Sequence, residues 1–321
     1  MCAYLKTRRI ITHMKKLALL ALSALAVFGL SACGSTEEGW DASSTITVYT
    51  RDTSSGTRAG FMGGIDFDDA AEDDSLLVDG FVIKDNTGIF TSMKTDEYGI
   101  GYISLATLDE TVKGLFFDGV EPTVANVIND TYGLKRPFNY VTRAMDDYAN
   151  DTEKDISMAF VAFMATTDGA DIITNQGAVP LESTETWDDI KADYPVCEQD
   201  NSAVTIKFGG SDSIEKIAKA LTEEFAPKCG DFVPEHDHTG SSDGFKRTQG
   251  SEKDGDNYKH IGFASRPFKA EEAGETGTQG QLAWDAIVAI VHLDNEVSNV
   301  TAEDLKKIYS GEYTTWDELL D

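Results

Sequence analysis

Three short segments carry residue types able to hold a small anion: Arg51-Asp-Thr-Ser-Ser-Gly-Thr-Arg58, Gly209-Gly-Ser-Asp-Ser213 and Thr239-Gly-Ser-Ser-Asp-Gly244. Each combines glycine with hydroxyl side chains at the start of a helical pattern. A helix start leaves backbone N–H groups unpaired and carries partial positive charge. Glycine lets an oxyanion approach that backbone, and serine or threonine hydroxyls add donors. Arg51 supplies a full positive charge in a planar fork. Taken singly, each segment reads more readily as an ordinary helix cap than as an anion site. Asp212 shares that second reading, with Glu215 three residues later completing a capping box.

The elements that would position these turns are legible nearby. Thr45–Thr50 and Val204–Phe208 are β-type runs that feed directly into the first two segments, and Ile287–His292 reads as a buried strand. Residues 213–225 place Ile214, Ile217, Ala218, Leu221 and Phe225 on one helical face. Thr301 and Asp304 open a helix carrying Leu305 and Ile308, and Gly311 stops it. A further helix covers 155–165. Strands alternating with helices predict an α/β fold. Segments 63–80, 182–203 and 227–260 read as acidic or polar loops. Within the last, Glu235-His-Asp-His238 has metal-ligating residue types but no partner cluster, so it reads as a solvated loop and no metal site is expected. Ser55 lacks a G-x-S-x-G setting and a His/Asp partnership, which argues against a serine hydrolase.

Charge and length bound the rest. The 321 residues suit two domains. Five of the 27 Lys and Arg, and none of the 56 Asp and Glu, precede Cys33, so residues 33–321 carry −34. A surface that acidic repels phosphate backbones, and no nucleic-acid partner is expected. The apolar run Leu17–Leu30 is too short for a spanning helix, which needs about 20 residues. With Lys15 and Lys16 before it, the run reads as an export signal, and translation starting at Met14 fits that form. Leu30-Ser-Ala-Cys33-Gly34 resembles a bacterial lipobox. That resemblance implies a signal over 1–32, a lipidated Cys33, a tether over 33–44, and attachment to the extracytoplasmic face of the cell membrane. Cys197 and Cys229 remain, either as a disulfide or as two separate buried thiols.

Arg51 to Arg58 also resembles the R-x-D-G-S-G-T-R signature of phosphate-binding lipoproteins, the substrate-binding subunits of phosphate ABC transporters. Gly99-Ile-Gly-Tyr-Ile103, Phe117-Asp-Gly-Val-Glu-Pro122-Thr, Arg136-Pro137-Phe and Gly177-Ala-Val-Pro-Leu181 are similar to that family's C-terminal half, in order. Gly210-Ser-Asp-Ser213, Gly240-Ser-Ser-Asp-Gly244, Ala264-Ser-Arg-Pro267, Val297-Ser-Asn-Val-Thr301 and Tyr309-Ser-Gly with Trp316 are similar to its N-terminal half. The resemblance therefore implies a two-lobed, periplasmic-binding-protein-like (type II) α/β fold, circularly permuted, with an interlobe ligand cleft. One lobe would hold 45–140 plus 290–321. The other would hold 141–289, including a junction at 182–203.

By the same resemblance, Arg51, Ser55, Gly56 and Thr57 contact inorganic phosphate from one lobe. Ser211, Asp212, Ser213, Ser241 and Arg266 do so from the other. Two positions depart from the family pattern. Asp212 stands where a hydroxyl donor is usual, and Arg266 where some members carry a carboxylate. An ionised Asp212 could accept from a protonated phosphate but not from sulfate. The expected function is capture of phosphate and delivery to an ABC permease, as a monomer, without catalysis or cofactor. The alternatives are another oxyanion (sulfate or molybdate), a phosphate sensor or adhesin that does not transport, and a secreted hydrolase using Ser55.

Overall fold

The computed structural model describes residues 39–320; the leader, Cys33 and the first part of the tether lie outside them. In chain order the strands are β1 (Thr47–Thr50), β2 (Val82–Ile83), β3 (Gly99–Ser104), β4 (Lys113–Gly114), β5 (Phe116–Phe117), β6 (Lys135–Thr142), β7 (Val179–Pro180), β8 (Thr205–Gly210), β9 (Val233–His238), β10 (Ile261–Ala264), β11 (Gln279–Val291) and β12 (Asn299–Val300). The helices are α1 (Gly56–Gly64), α2 (Asn86–Met93), α3 (Val124–Ile128), α4 (Asp151–Met164), α5 (Thr167–Asn175), α6 (Trp187–Ile190), α7 (Glu215–Phe225), α8 (Ser241–Lys246), α9 (Ala302–Ser310) and α10 (Asp317–Leu320).

The main sheet runs β2-β1-β3-β11-β6-β10-β8-β9, with β4 and β7 also paired to β11. At one end β1 is parallel to β2 and β3; at the other, β8 is parallel to β9 and β10. Parallel neighbours need crossover connections, so each triplet gathers its own helices and forms its own lobe. Between them lie β6 and the 13-residue β11, antiparallel to each other. Ile287–Val291 of β11 pair with β3, while Gln279–Ala286 pair with β6. The sequence reading found only the apolar end of this strand.

Two main cores follow. Ile46, Phe61, Tyr102, Leu305, Tyr309 and Trp316 anchor the first, where Phe61 stacks on Tyr102 at 4.0 Å. Phe160, Phe208, Ile217, Leu221 and Ile261 anchor the second, with Phe225 against Phe163 at 4.8 Å and Trp187 at 5.0 Å. Along β6 the change of core falls between Leu134 and Phe138, and along β11 between Ala283 and Ala286. The chain passes from one core to the other at these two places. Val179 is the exception in the second lobe, packing against the first core.

Helix α7 buries Ile217, Ala218, Leu221 and Phe225 at helical spacing. Helix α9 opens on a reciprocal capping box between Thr301 and Asp304 and closes on Gly311 at φ 81°. Two expected loops have more structure. The 227–260 stretch contains β9 and α8, so His236 and His238 sit on an edge strand and not in a solvated loop. The 182–203 stretch contains α6, and its Trp187 and Val196 enter the second core.

Cys197 and Cys229 are disulfide-bonded, closing a sequence separation of 32. Loop closure of that size stabilises by about 2–4 kcal/mol. Replacing both cysteines by serine should lower the unfolding free energy by at least that amount in urea titrations, because fully buried Cys229 would also be exchanged for a hydroxyl.

Candidate anion-binding site

β1 delivers Thr50 and Arg51 to the cleft. The Tyr102 hydroxyl lies 2.7 Å from Thr50 Oγ1 and accepts from Arg51 N–H at 3.2 Å. Asp52 then accepts from the N–H and hydroxyl of Ser54, which folds the chain into a turn. Ser55 caps α1 by accepting from Arg58 N–H. The two arginines of this segment do different work. Arg58 is buried within its lobe, donating to the carbonyls of Ala70 and Arg51 and to Asp74. Arg51 points across the cleft.

Arg51 is 1% exposed, and its Nη2 meets Asp212 Oδ2 of the other lobe at 2.5 Å. Its Nε and Nη1 are buried without a partner. Asn86 N–H, at the start of α2, also donates to Asp212 Oδ2 at 3.3 Å. Burial raises the Asp212 carboxyl's proton affinity, but the Arg51 charge, the bond to it and the Asn86 N–H outweigh that and hold the pKa below the usual carboxylate value. Asp212 is therefore an ionised acceptor at neutral pH. It is not a cap: the N-cap of α7 is Ile214, with no side-chain capping bond.

The other corners converge on the same place. Gly210, at φ 95°, turns the chain out of β8, and Ser211 N–H donates to Phe263 C=O at 2.8 Å. Ser211 Oγ lies 2.9 Å from Ser265 Oγ, which lies 3.1 Å from Ser241 Oγ. Thr57 Oγ1 reaches across the cleft to Ser213 Oγ at 2.8 Å. Gly56 approaches so closely that a Cβ there would overlap the hydroxyls of Ser241 and Ser265. Ser54 C=O accepts from Ser242 N–H and Oγ, a further bond between lobes. The result is a buried cluster of hydroxyls around the Arg51–Asp212 pair, able to donate many hydrogen bonds to a small anion.

Of the residues expected here, Arg51, Gly56, Thr57, Ser211, Asp212, Ser213 and Ser241 come together, with Ser55 beside them as the cap of α1. Arg266 does not join them. Its guanidinium forks onto Glu272 at 2.6 and 2.8 Å and donates also to the Pro267 carbonyl and to Ser242, because a buried cation takes the nearest carboxylate.

Ser265 and Arg136 are additional members. Arg136 binds Asp285 through Nε and Nη2 at 2.9 and 2.8 Å, Ser104 donates to the same carboxylate, and Arg136 Nη1 lies 3.5 Å from Ser265 C=O. Both stood inside recognised motifs, Ala264-Ser-Arg-Pro267 and Arg136-Pro137-Phe. No local spacing pointed to their hydroxyl or charge.

Residues 196–321 match the family model of the PBP superfamily domain. Over 310 residues the chain is 29% identical to phosphate-binding protein PstS 2 of Streptococcus pneumoniae serotype 4, covering 95% of this chain and 99% of that protein. The corresponding protein of Streptococcus agalactiae serotype V is 26% identical over 309 residues, covering 95% and 98%. Phosphate-binding protein PstS of Staphylococcus saprophyticus is 31% identical over 121 residues, 36% of each chain. The crystal structure of a phosphate-binding protein of a phosphate ABC transporter from Streptococcus pneumoniae TIGR4 superposes with a TM-score of 0.62 at 26% identity, covering 86% of this chain and 99% of that one. The chain is thus similar over nearly its whole length to phosphate-binding proteins, and its residues 196–321 match the PBP superfamily domain.

Proposed function

We propose that this protein captures inorganic phosphate between its lobes and hands it to an ABC permease, held at the membrane by a lipid on Cys33. The carrying observation is the convergence of Arg51, Thr57, Ser213, Ser241 and Ser265 from both lobes, with Arg51 Nε and Nη1 left to donate. Asp212 uses Oδ2 for Arg51, which leaves Oδ1 to accept the proton of a protonated phosphate. Binding would pull the lobes together about β6 and β11. No bond is made or broken: the Ser55 hydroxyl serves as the cap of α1. The circularly permuted order belongs to the same proposal. It rests on motif order: segments similar to the family's C-terminal half, at 99–181, precede those similar to its N-terminal half, at 210–316.

Three variants test the site, two by calorimetric titration and one by small-angle scattering. Arg51→Ala should weaken phosphate binding by at least about 100-fold, since charge-assisted hydrogen bonds contribute about 1.5–3 kcal/mol each; unchanged affinity would remove the anchor from the proposal. Asp212→Asn should erode discrimination between phosphate and sulfate, because an amide can donate to sulfate where a carboxylate cannot. Equal selectivity in both proteins would sink the acceptor role. Gly56→Ala should hold the lobes apart, so that phosphate no longer compacts the protein in small-angle scattering as it does the parent.

A further inference from the structure

The pair His236 and His238 belongs to no role assigned so far. Alternation along β9 puts both imidazoles on one face, while Asp237 turns the other way to Lys259 and Arg247. The rings form a stack: Phe208 to His236 at 5.1 Å, His236 to His238 at 5.4 Å, and His238 to Phe263 at 6.1 Å. A chain of polar contacts threads it. Thr222 Oγ1 of α7 lies 2.9 Å from His236 Nε2, His236 Nδ1 lies 3.1 Å from His238 Nε2, and His238 Nδ1 lies 3.0 Å from Ser211 C=O.

The end of the chain fixes its direction. A carbonyl can only accept, so His238 Nδ1 carries the proton. In a neutral ring His238 Nε2 then accepts, which makes His236 Nδ1 the next donor; the single hydroxyl proton of Thr222 is shared between His236 Nε2 and the Lys219 carbonyl at 3.0 Å. Burial keeps both rings neutral: it pushes His236 down to about 3, with the nearby His238 adding to the effect, and lowers His238 as well.

Ser211 C=O also accepts from Ile214 N–H at 3.2 Å, so its two lone pairs are used and its peptide plane is held. The C=O and N–H of a trans peptide point in opposite directions. Fixing Ser211 C=O toward β9 therefore turns Asp212 N–H away from the sheet edge. We propose that His238 is a positioning residue: backed by His236 and Thr222, it orients the Ser211–Asp212 peptide so that Asp212 N–H donates to the bound anion. This rests on the reading of that loop as a phosphate site.

Two substitutions separate this role from packing. Asn places an amide N–H near the position of Nδ1, whereas Phe keeps the ring stack and loses the donor. Calorimetric titration with inorganic phosphate should show His238→Asn close to the parent and His238→Phe about tenfold weaker, a typical effect of one lost hydrogen bond. The reverse order, or two equal affinities, overturns the positioning role. Nitrogen-15 NMR of the unmodified protein should show His238 as the neutral Nδ1–H tautomer, a readout independent of variant folding; the Nε2–H tautomer overturns the chain. If the unmodified protein fails to bind phosphate, the site reading falls and the positioning role with it. Normal parent binding with the wrong order of variants defeats the positioning role alone.

Discussion

An arginine does not lose its proton in a folded protein, so burying Arg51 obliges something to neutralise it. Among the described residues Asp212 does so, and Asp212 belongs to the opposite lobe. The site's cation is thus balanced only when the cleft is shut. Shutting it strips water from two charges, a cost that one ion pair alone compensates poorly. An anion accepting from Arg51 Nε and Nη1 would supply the missing hydrogen bonds. Under the proposed function, ligand and closure would be coupled through this side chain, and the hydroxyl pairs across the cleft would add to a balance it already sets.

The sheet explains why the corners can meet. The segments after β1, β8, β9 and β10 all leave the carboxyl ends of strands in the two parallel triplets. That is where an α/β sheet leaves a crevice for ligands. The central antiparallel pair sets the triplets face to face, and Arg136 on β6 and Asp285 on β11 lock that pair beneath the hydroxyl cluster. Arg58 serves the same end locally by gripping the carbonyl of Arg51.

Much of this was legible from residue order where one local pattern determines one outcome. The face of α7 and the capping box of α9 are such cases, because helical spacing and Thr301/Asp304 geometry involve only near neighbours. β9 was not legible. Edge strands tolerate charged residues, so Glu235-His-Asp-His238 resembles a solvated loop until β8 is seen beside it. Asp212 was undecidable for a related reason: a cap and an ion pair demand the same residue, and its partner lies 161 residues away. Arg266 was placed by resemblance, and the competing carboxylate six residues on, Glu272, captured it. Ser265 needed the three-dimensional meeting of two loops to acquire meaning.

An acidic protein binding an anion is less paradoxical once the charges are located. Arg51 is matched by Asp212 and Arg136 by Asp285, so the cleft presents little net charge of its own. Surface carboxylates more than a Debye length away, about 8 Å at physiological salt, contribute little inside it. What remains is a dense set of oriented N–H and O–H dipoles in a site shielded from water, where such donors act strongly. The acidic exterior acts mainly on approach, slowing the encounter with a like-charged ligand and making that rate rise with salt. Retention depends on the dipoles, and those are set by the turns that close each strand.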